Sequence, residues 1–142
     1  MTKHTESPIS FSGRSVTIVY TDLARTEHVY ADVLGTEPIP TDGYGCSWYR
    51  LGTLIISLMP NAKQPNPAAF PEHAMPMLWL EVDDIEAAYE HLQHAGTSII
   101  QPLDGDAFML IADPDGLVIE IWQRDDGEGN KPQRNYLNRS GI

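Results

Sequence analysis

Apolar positions along this chain change their period in a repeating way. Between Arg14 and Tyr20, Val16, Ile18 and Tyr20 alternate with Ser15, Thr17 and Val19, the two-residue period of a strand. Thr21-Asp22 then reads as a helix cap, Leu23 to Leu34 as a helix, and Gly35 as its stop. Strands are predicted at Thr36 to Pro40, Ser47 to Leu51 and Thr53 to Met59, with Asp42-Gly43, Gly45 and Gly52 as turns. The order then returns. Met77 to Val82 predicts a strand, Asp83-Asp84 a cap, and Ile85 to Ala95 a helix with Ile85, Ala88, Tyr89 and Leu92 on one face. Gly96 ends that helix, and strands are predicted at Ser98 to Leu103, Ala107 to Ala112 and Leu117 to Gln123.

The two cap residues, Asp22 and Asp84, lie 62 positions apart, and Gly35 and Gly96 lie 61 apart. Two βαβββ modules in tandem explain both spacings, and a repeat of this kind outranks any local assignment. The predicted division is an N-terminal arm over residues 1–13, a first module over 14–59, a linker over 60–76, a second module over 77–123 and a polar tail over 124–142. Five prolines (Pro60, Pro65, Pro67, Pro71 and Pro76) make the linker an extended connection rather than an element. The whole is expected to form one α+β structural domain.

One segment stands out within this frame. Asp113-Pro114-Asp115-Gly116 reads as a tight turn feeding the strand Leu117 to Trp122. Glu120 is the single carboxylate among its branched and aromatic neighbours. A buried carboxylate is costly unless it is paired, protonated or bound to a cation, so Glu120 calls for a partner.

Composition narrows the function classes. Apolar residues make up 42% and charged residues 20%, ordinary for a globular domain. Nine Lys and Arg against 20 Asp and Glu give a net charge of −11, which argues against nucleic acid and suits either plain solubility or a cationic small ligand. Part of that charge (Asp83, Asp84, Glu86 and Glu90) falls on the second helix and reads as a solvated face. No apolar run is long enough to span a membrane, and the polar start lacks the apolar segment of a signal peptide. Cys46 is the only cysteine, which excludes an internal disulfide and fits a cytoplasmic setting.

The order βαβββ-linker-βαβββ resembles the vicinal oxygen chelate superfamily of glyoxalases, bleomycin-resistance proteins and ring-cleaving dioxygenases. Ser15 to Leu23, Val29-Tyr30 and Val33-Leu34-Gly35 carry the resemblance in the first module. In the second, Leu80 to Asp84, Ala95-Gly96 and Asp113 to Gly116 running into Glu120 carry it. The fold this implies is a pair of curled mixed sheets forming a cup, with helices outside. Metal-dependent members place one ligand on the first and one on the last strand of each module, the first lying seven residues before the cap Asp. The resemblance maps those positions onto Ser15, Ser57, Met77 and Glu120. Only Glu120 is a competent ligand, since neutral hydroxyls are poor donors and a thioether suits soft copper. The chain is therefore closest in character to members that have lost the metal site. No cofactor is expected, and a divalent metal is disfavoured.

Strand alternation from an inward Glu120 predicts the cup lining. Ser15, Thr17 and Val19, Ile55, Ser57 and Met59, Met77, Trp79 and Glu81, and Val118 and Trp122 are placed inside. Either Trp48 or Tyr49 joins them; register alone leaves this open. Trp79 and Trp122 read as core filling or as flat surfaces that stack a planar ligand. Of the histidines, His28, His91 and His94 fall on helices and are expected in solvent, His4 lies in the arm, and His73 with Glu120 supplies too few ligands for a metal. The ligand-binding set is thus Ser15, Thr17, Trp48, Ser57, Met77, Trp79, Glu120 and Trp122. The leading function is metal-free binding of a planar or cationic small molecule. The alternatives are a glyoxalase-family lyase, isomerase or dioxygenase using Glu120 as base or an atypical metal site, and a non-catalytic dimeric interaction module. A homodimer is expected from the resemblance.

Overall fold

The computed structural model describes residues 9–40, 45–66, 71, 75–103 and 107–124. The Asp42-Gly43 turn, His4, His73 and the tail beyond Arg124 lie outside the described residues. The first module is β1 (Ser15–Val19), a helix, β2 (Glu37–Ile39), β3 (Ser47–Leu51) and β4 (Leu54–Met59). The second is β5 (Met77–Val82), α2 (Ile85–His94), β6 (Ser98–Gln101), β7 (Phe108–Ala112) and β8 (Val118–Gln123). Each module forms its own four-stranded sheet, in the orders β1-β4-β3-β2 and β5-β8-β7-β6. The first strand pairs in parallel with the last, and the other pairs are antiparallel. The tandem βαβββ repeat is thus the architecture of the molecule. Among the described residues no helix is long and apolar enough to cross a membrane.

Both helices begin as the sequence predicts. Asp22 and Asp84 sit in extended backbone and accept the amides of Arg25 (3.0 Å) and Ala87 (3.1 Å), satisfying donors that a helix start leaves open. The first helix then departs from expectation. It is α-helical only over α1 (Leu23–Glu27) and continues as a wider π-helical turn over His28–Val33, where the Leu34 amide donates to the Val29 carbonyl. The apolar spacing of this stretch fits either winding, so a period-based reading misses the widening. Thr36, expected to open β2, is instead buried and donates its hydroxyl to the Tyr30 carbonyl, so the strand starts at Glu37. β6 starts at Ser98 as predicted but ends at Gln101 rather than Leu103, and its pairing with β7 shifts register between Ile99 and Gln101.

The core lies between the sheets and the helices. Ile18, Ile56 and Leu58 of the first sheet and Leu78, Met109, Ile111, Ile119 and Ile121 of the second join Tyr30, Val33, Ile85 and Leu92 in one cluster. In β1, β4, β5 and β8 these alternate with the positions predicted to line the cup. His91 is not simply solvated, because its Nε2 donates to the Val33 carbonyl (2.8 Å) and ties α2 to the end of the π-helical turn.

The linker is anchored to both modules. The Ala62 amide donates to the Tyr20 carbonyl (3.1 Å), and the Asn66 amide to the Asp115 carbonyl (2.8 Å). Gly116 has φ +94, and a Cβ there would lie 3.2 Å from the Asn66 carbonyl oxygen, so this turn needs glycine for conformation and for space.

Candidate functional site

Register places the candidate residues in two matching rows. Across the first sheet, Thr17, Ser57, Trp48 and Ile39 stand side by side. Across the second, the corresponding row is Trp79, Glu120, Leu110 and Gln101. Trp48 therefore shares the cup face with Ser57, which settles the choice between Trp48 and Tyr49. Tyr49 faces the helix, where its hydroxyl donates to the Glu27 carboxylate, and burial with that carboxylate pushes its phenol up to about 12.

The second sheet carries a stacked aromatic wall. The rings of Trp79 and Trp122 lie 5.4 Å apart at 30°, and those of Phe108 and Trp122 4.5 Å apart at 14°. Trp122 stacks with both other rings and is only 5% exposed, so it fills space within the wall, and the partly exposed rings are Trp79 and Phe108. Phe108 was missed in the sequence. The signal that could have found it is the pairing of β7 with β8, which sets Phe108 opposite Trp122.

Glu120 sits between Trp79 and Leu110 in this row. It is half-buried rather than enclosed, and it makes no hydrogen bond or ion pair among the described residues. Ser15 and Thr17 are exposed on β1, whereas Ser57 is 1% exposed. Met77, at the start of β5, shares a cavity of about 250 Å³ with Thr17 and Val19. The chain thus gathers Trp79, Glu120 and Trp122 on one sheet, Thr17, Ser57 and Trp48 on the other, and Thr17 with Met77 at the junction.

The four positions that hold a metal in metal-dependent relatives do not fit one here. Ser57 is sealed within its sheet, Met77 offers a thioether, Ser15 a neutral hydroxyl, and only Glu120 a charged oxygen donor. A catalytic divalent ion needs several oxygen or imidazole ligands. Among the described residues no group of three or more His, Cys, Asp or Glu is placed to hold one.

The carboxylates that are buried belong to the turn before β8. Asp113 is 4% exposed and Asp115 8%. Asp113 accepts the Tyr30 hydroxyl (2.8 Å) and the amides of Asp115 and Leu117 (both 2.9 Å). Burial raises its pKa above the ordinary carboxylate value, and these hydrogen bonds oppose that shift. Asp115 accepts the amide (2.9 Å) and hydroxyl (2.6 Å) of Thr21, while Arg25 donates to the Pro114 carbonyl (3.2 Å). The turn is therefore a latch from the second module onto the first helix. Tyr30, fully buried against Asp113, has its phenol pushed far above the usual range by burial and then by that carboxylate. The sequence signals the turn but not the latch, because the partners lie 83 and 94 positions away.

The sequence matches the family model described as Glyoxalase/Bleomycin resistance protein/Dioxygenase superfamily over residues 14–121. No curated protein matches. Among solved structures, TioX from Micromonospora sp. ML1 is 20% identical with a TM-score of 0.62, the alignment covering 80% of this chain and 98% of that one. A glyoxalase family protein from Enterococcus faecalis is 20% identical with a TM-score of 0.62, covering 78% and 96%. A lactoylglutathione lyase from Agrobacterium tumefaciens is 17% identical with a TM-score of 0.57, covering 82% and 96%. At these identities the likeness is one of fold.

Proposed function

The chain belongs to the glyoxalase/bleomycin resistance protein/dioxygenase superfamily, and from that premise we propose that it binds a small planar cation without a divalent metal. The observation that carries this reading is the Trp79–Trp122–Phe108 stack with Glu120 beside it, unpaired among the described residues. A flat cation gains stacking and cation–π attraction from the rings and charge neutralisation from the carboxylate. The net charge of −11 adds long-range attraction for such a ligand. Thr17 and Trp48 on the first sheet form the opposite half of the binding set, with Ser15 and Met77 at its edge and Ser57 sealed within the sheet between them.

The test is tryptophan fluorescence quenching by a planar aromatic cation, its neutral isostere and its anionic isostere. The cation should bind most tightly, and Glu120→Gln should erase the preference among the three while leaving the fold intact. Equal binding of all three to the wild type would defeat the proposal. Glu120's freedom from partners also supports a second reading, in which it serves as general base on a bound carbonyl compound. Under that reading Glu120→Gln abolishes turnover and leaves binding in place. The assembly expected with either reading is a cytoplasmic homodimer, checked by sedimentation equilibrium.

A further inference from the structure

A groove of about 790 Å³ lies between the β3–β4 turn of the first module and the C-terminal half of β5, with Trp79 of the aromatic wall at its border. Leu34, Leu51, Leu54, Leu80, Val82 and Ile121 supply its apolar lining. All but Ile121 are partly exposed members of the core's rim, so their remaining apolar surface converges on the groove. Its charged groups are Glu81, Asp83 and Arg124. Arg124 is already bound to Asp83 (3.3 Å), while Glu81 is exposed and has no ion-pair partner among the described residues. The rim therefore carries one uncompensated negative charge above an aliphatic floor. The size falls in the range of small-molecule sites, and the lining pattern, apolar with a few polar groups at the edge, is that of such sites.

We propose that this groove is a second ligand site, which takes an aliphatic ammonium compound with its chain on the leucines and its cation on Glu81. The occupant follows from charge complementarity. An alkyl carboxylate of the same length meets Glu81 as a like charge and finds Arg124 already engaged. An aromatic ligand gains little here, because the floor is aliphatic apart from Trp79 at its border. The site shares Trp79 with the planar-cation reading and is told apart from it by Thr53 and Glu81, which take no part in the stack.

The experiment is a calorimetric titration of the full chain with hexyl-, octyl- and decylammonium chloride below their micellar range, and with the matching alkanoates. Each added methylene should tighten ammonium binding about fourfold until the groove is filled. The alkanoates should bind at least about tenfold more weakly at equal length. Thr53→Trp changes an exposed turn residue at the groove's edge and should block ammonium binding without unfolding the chain, checked by circular dichroism. Glu81→Gln should keep the chain-length dependence and remove the preference for ammonium. Quenching by the planar cation should survive both substitutions. Absence of ammonium binding, equal affinity for alkanoates, or binding indifferent to Thr53→Trp and Glu81→Gln overturns the proposal. So does a change of oligomeric state in Thr53→Trp without ammonium binding to the wild type, which would assign the groove to a second copy.

Discussion

The two modules repeat one another in order, yet their β-turns meet the neighbouring module in opposite ways. By the repeat offset of 62, Asp113 answers to Leu51, Tyr30 to Leu92 and Thr21 to Asp83. The turn after Asp113 sends two buried carboxylates into the first helix and closes down to a cavity of about 250 Å³. The turn after Leu51 is one residue shorter, and among the described residues no hydrogen bond joins Leu51 to Leu54 with the second module. That end keeps a groove of about 790 Å³. One repeated frame thus yields a polar latch at one end and an open apolar groove at the other, according to whether the turn carries aspartates or leucines.

The cup faces diverge in the same manner. The row Thr17, Ser57, Trp48 and Ile39 is polar at β1 and aromatic on β3; the row Trp79, Glu120, Leu110 and Gln101 is aromatic at the edge strand and acidic beside it. The helix-facing positions stay alike, because both modules must bury the same kind of sheet surface. The repeated part is what packing requires, and the divergent part is where ligands can be recognised.

The largest expected effect breaks the latch. Asp113→Ala leaves the Tyr30 hydroxyl and the amides of Asp115 and Leu117 without their acceptor, a loss of about 3–5 kcal/mol in urea unfolding. Leu51→Ala at the open end trims a half-buried side chain and should cost only about 1–2 kcal/mol. Equal losses at the two positions would erase the contrast between the ends.

A smaller effect concerns pH. The Asp113 carboxyl is raised in the folded chain, so the fold holds that proton more tightly than the unfolded chain does. Its contribution to stability is therefore full below the ordinary carboxylate value and is lost as pH rises through the raised one. Asp113→Asn should flatten that part of the stability–pH curve in the mildly acidic range, whereas Leu51→Asn should leave its shape alone. Thr21→Val removes one hydroxyl bond to Asp115 and is expected to cost about 1 kcal/mol by the same urea measurement. Smallest is Glu120→Gln, within about 0.5 kcal/mol of the wild type in thermal unfolding, because Glu120 has no partner to lose among the described residues. A large loss there would mean that Glu120 holds the fold together.

Periodicity and caps made the architecture legible. Alternation in β1, β4, β5 and β8 identified the helix-facing residues, and Asp22 and Asp84 marked both helix starts. The site was legible in part. Trp79, Glu120 and Trp122 could be assigned to one face from alternation alone, but the choice between Trp48 and Tyr49 required the register of β3 against β4. Glu120 drew notice as a buried carboxylate, while the buried ones are Asp113 and Asp115. Turn propensity explains those two aspartates so readily that nothing local reveals their distant partners. The widened turn through Tyr30 was equally silent, since the apolar spacing there fits either winding.

The central claim is that the second sheet's aromatic wall binds its ligand without a divalent ion. The most direct measurement is the affinity of chelator-treated protein for a planar aromatic cation, with and without added nickel, zinc, manganese or iron(II), in wild type and Trp79→Ala. The account predicts the same affinity in every metal condition and at least about a tenfold loss in Trp79→Ala. Binding that appears only when a metal is restored, and that ignores Trp79, would contradict it and return the site to metal chemistry.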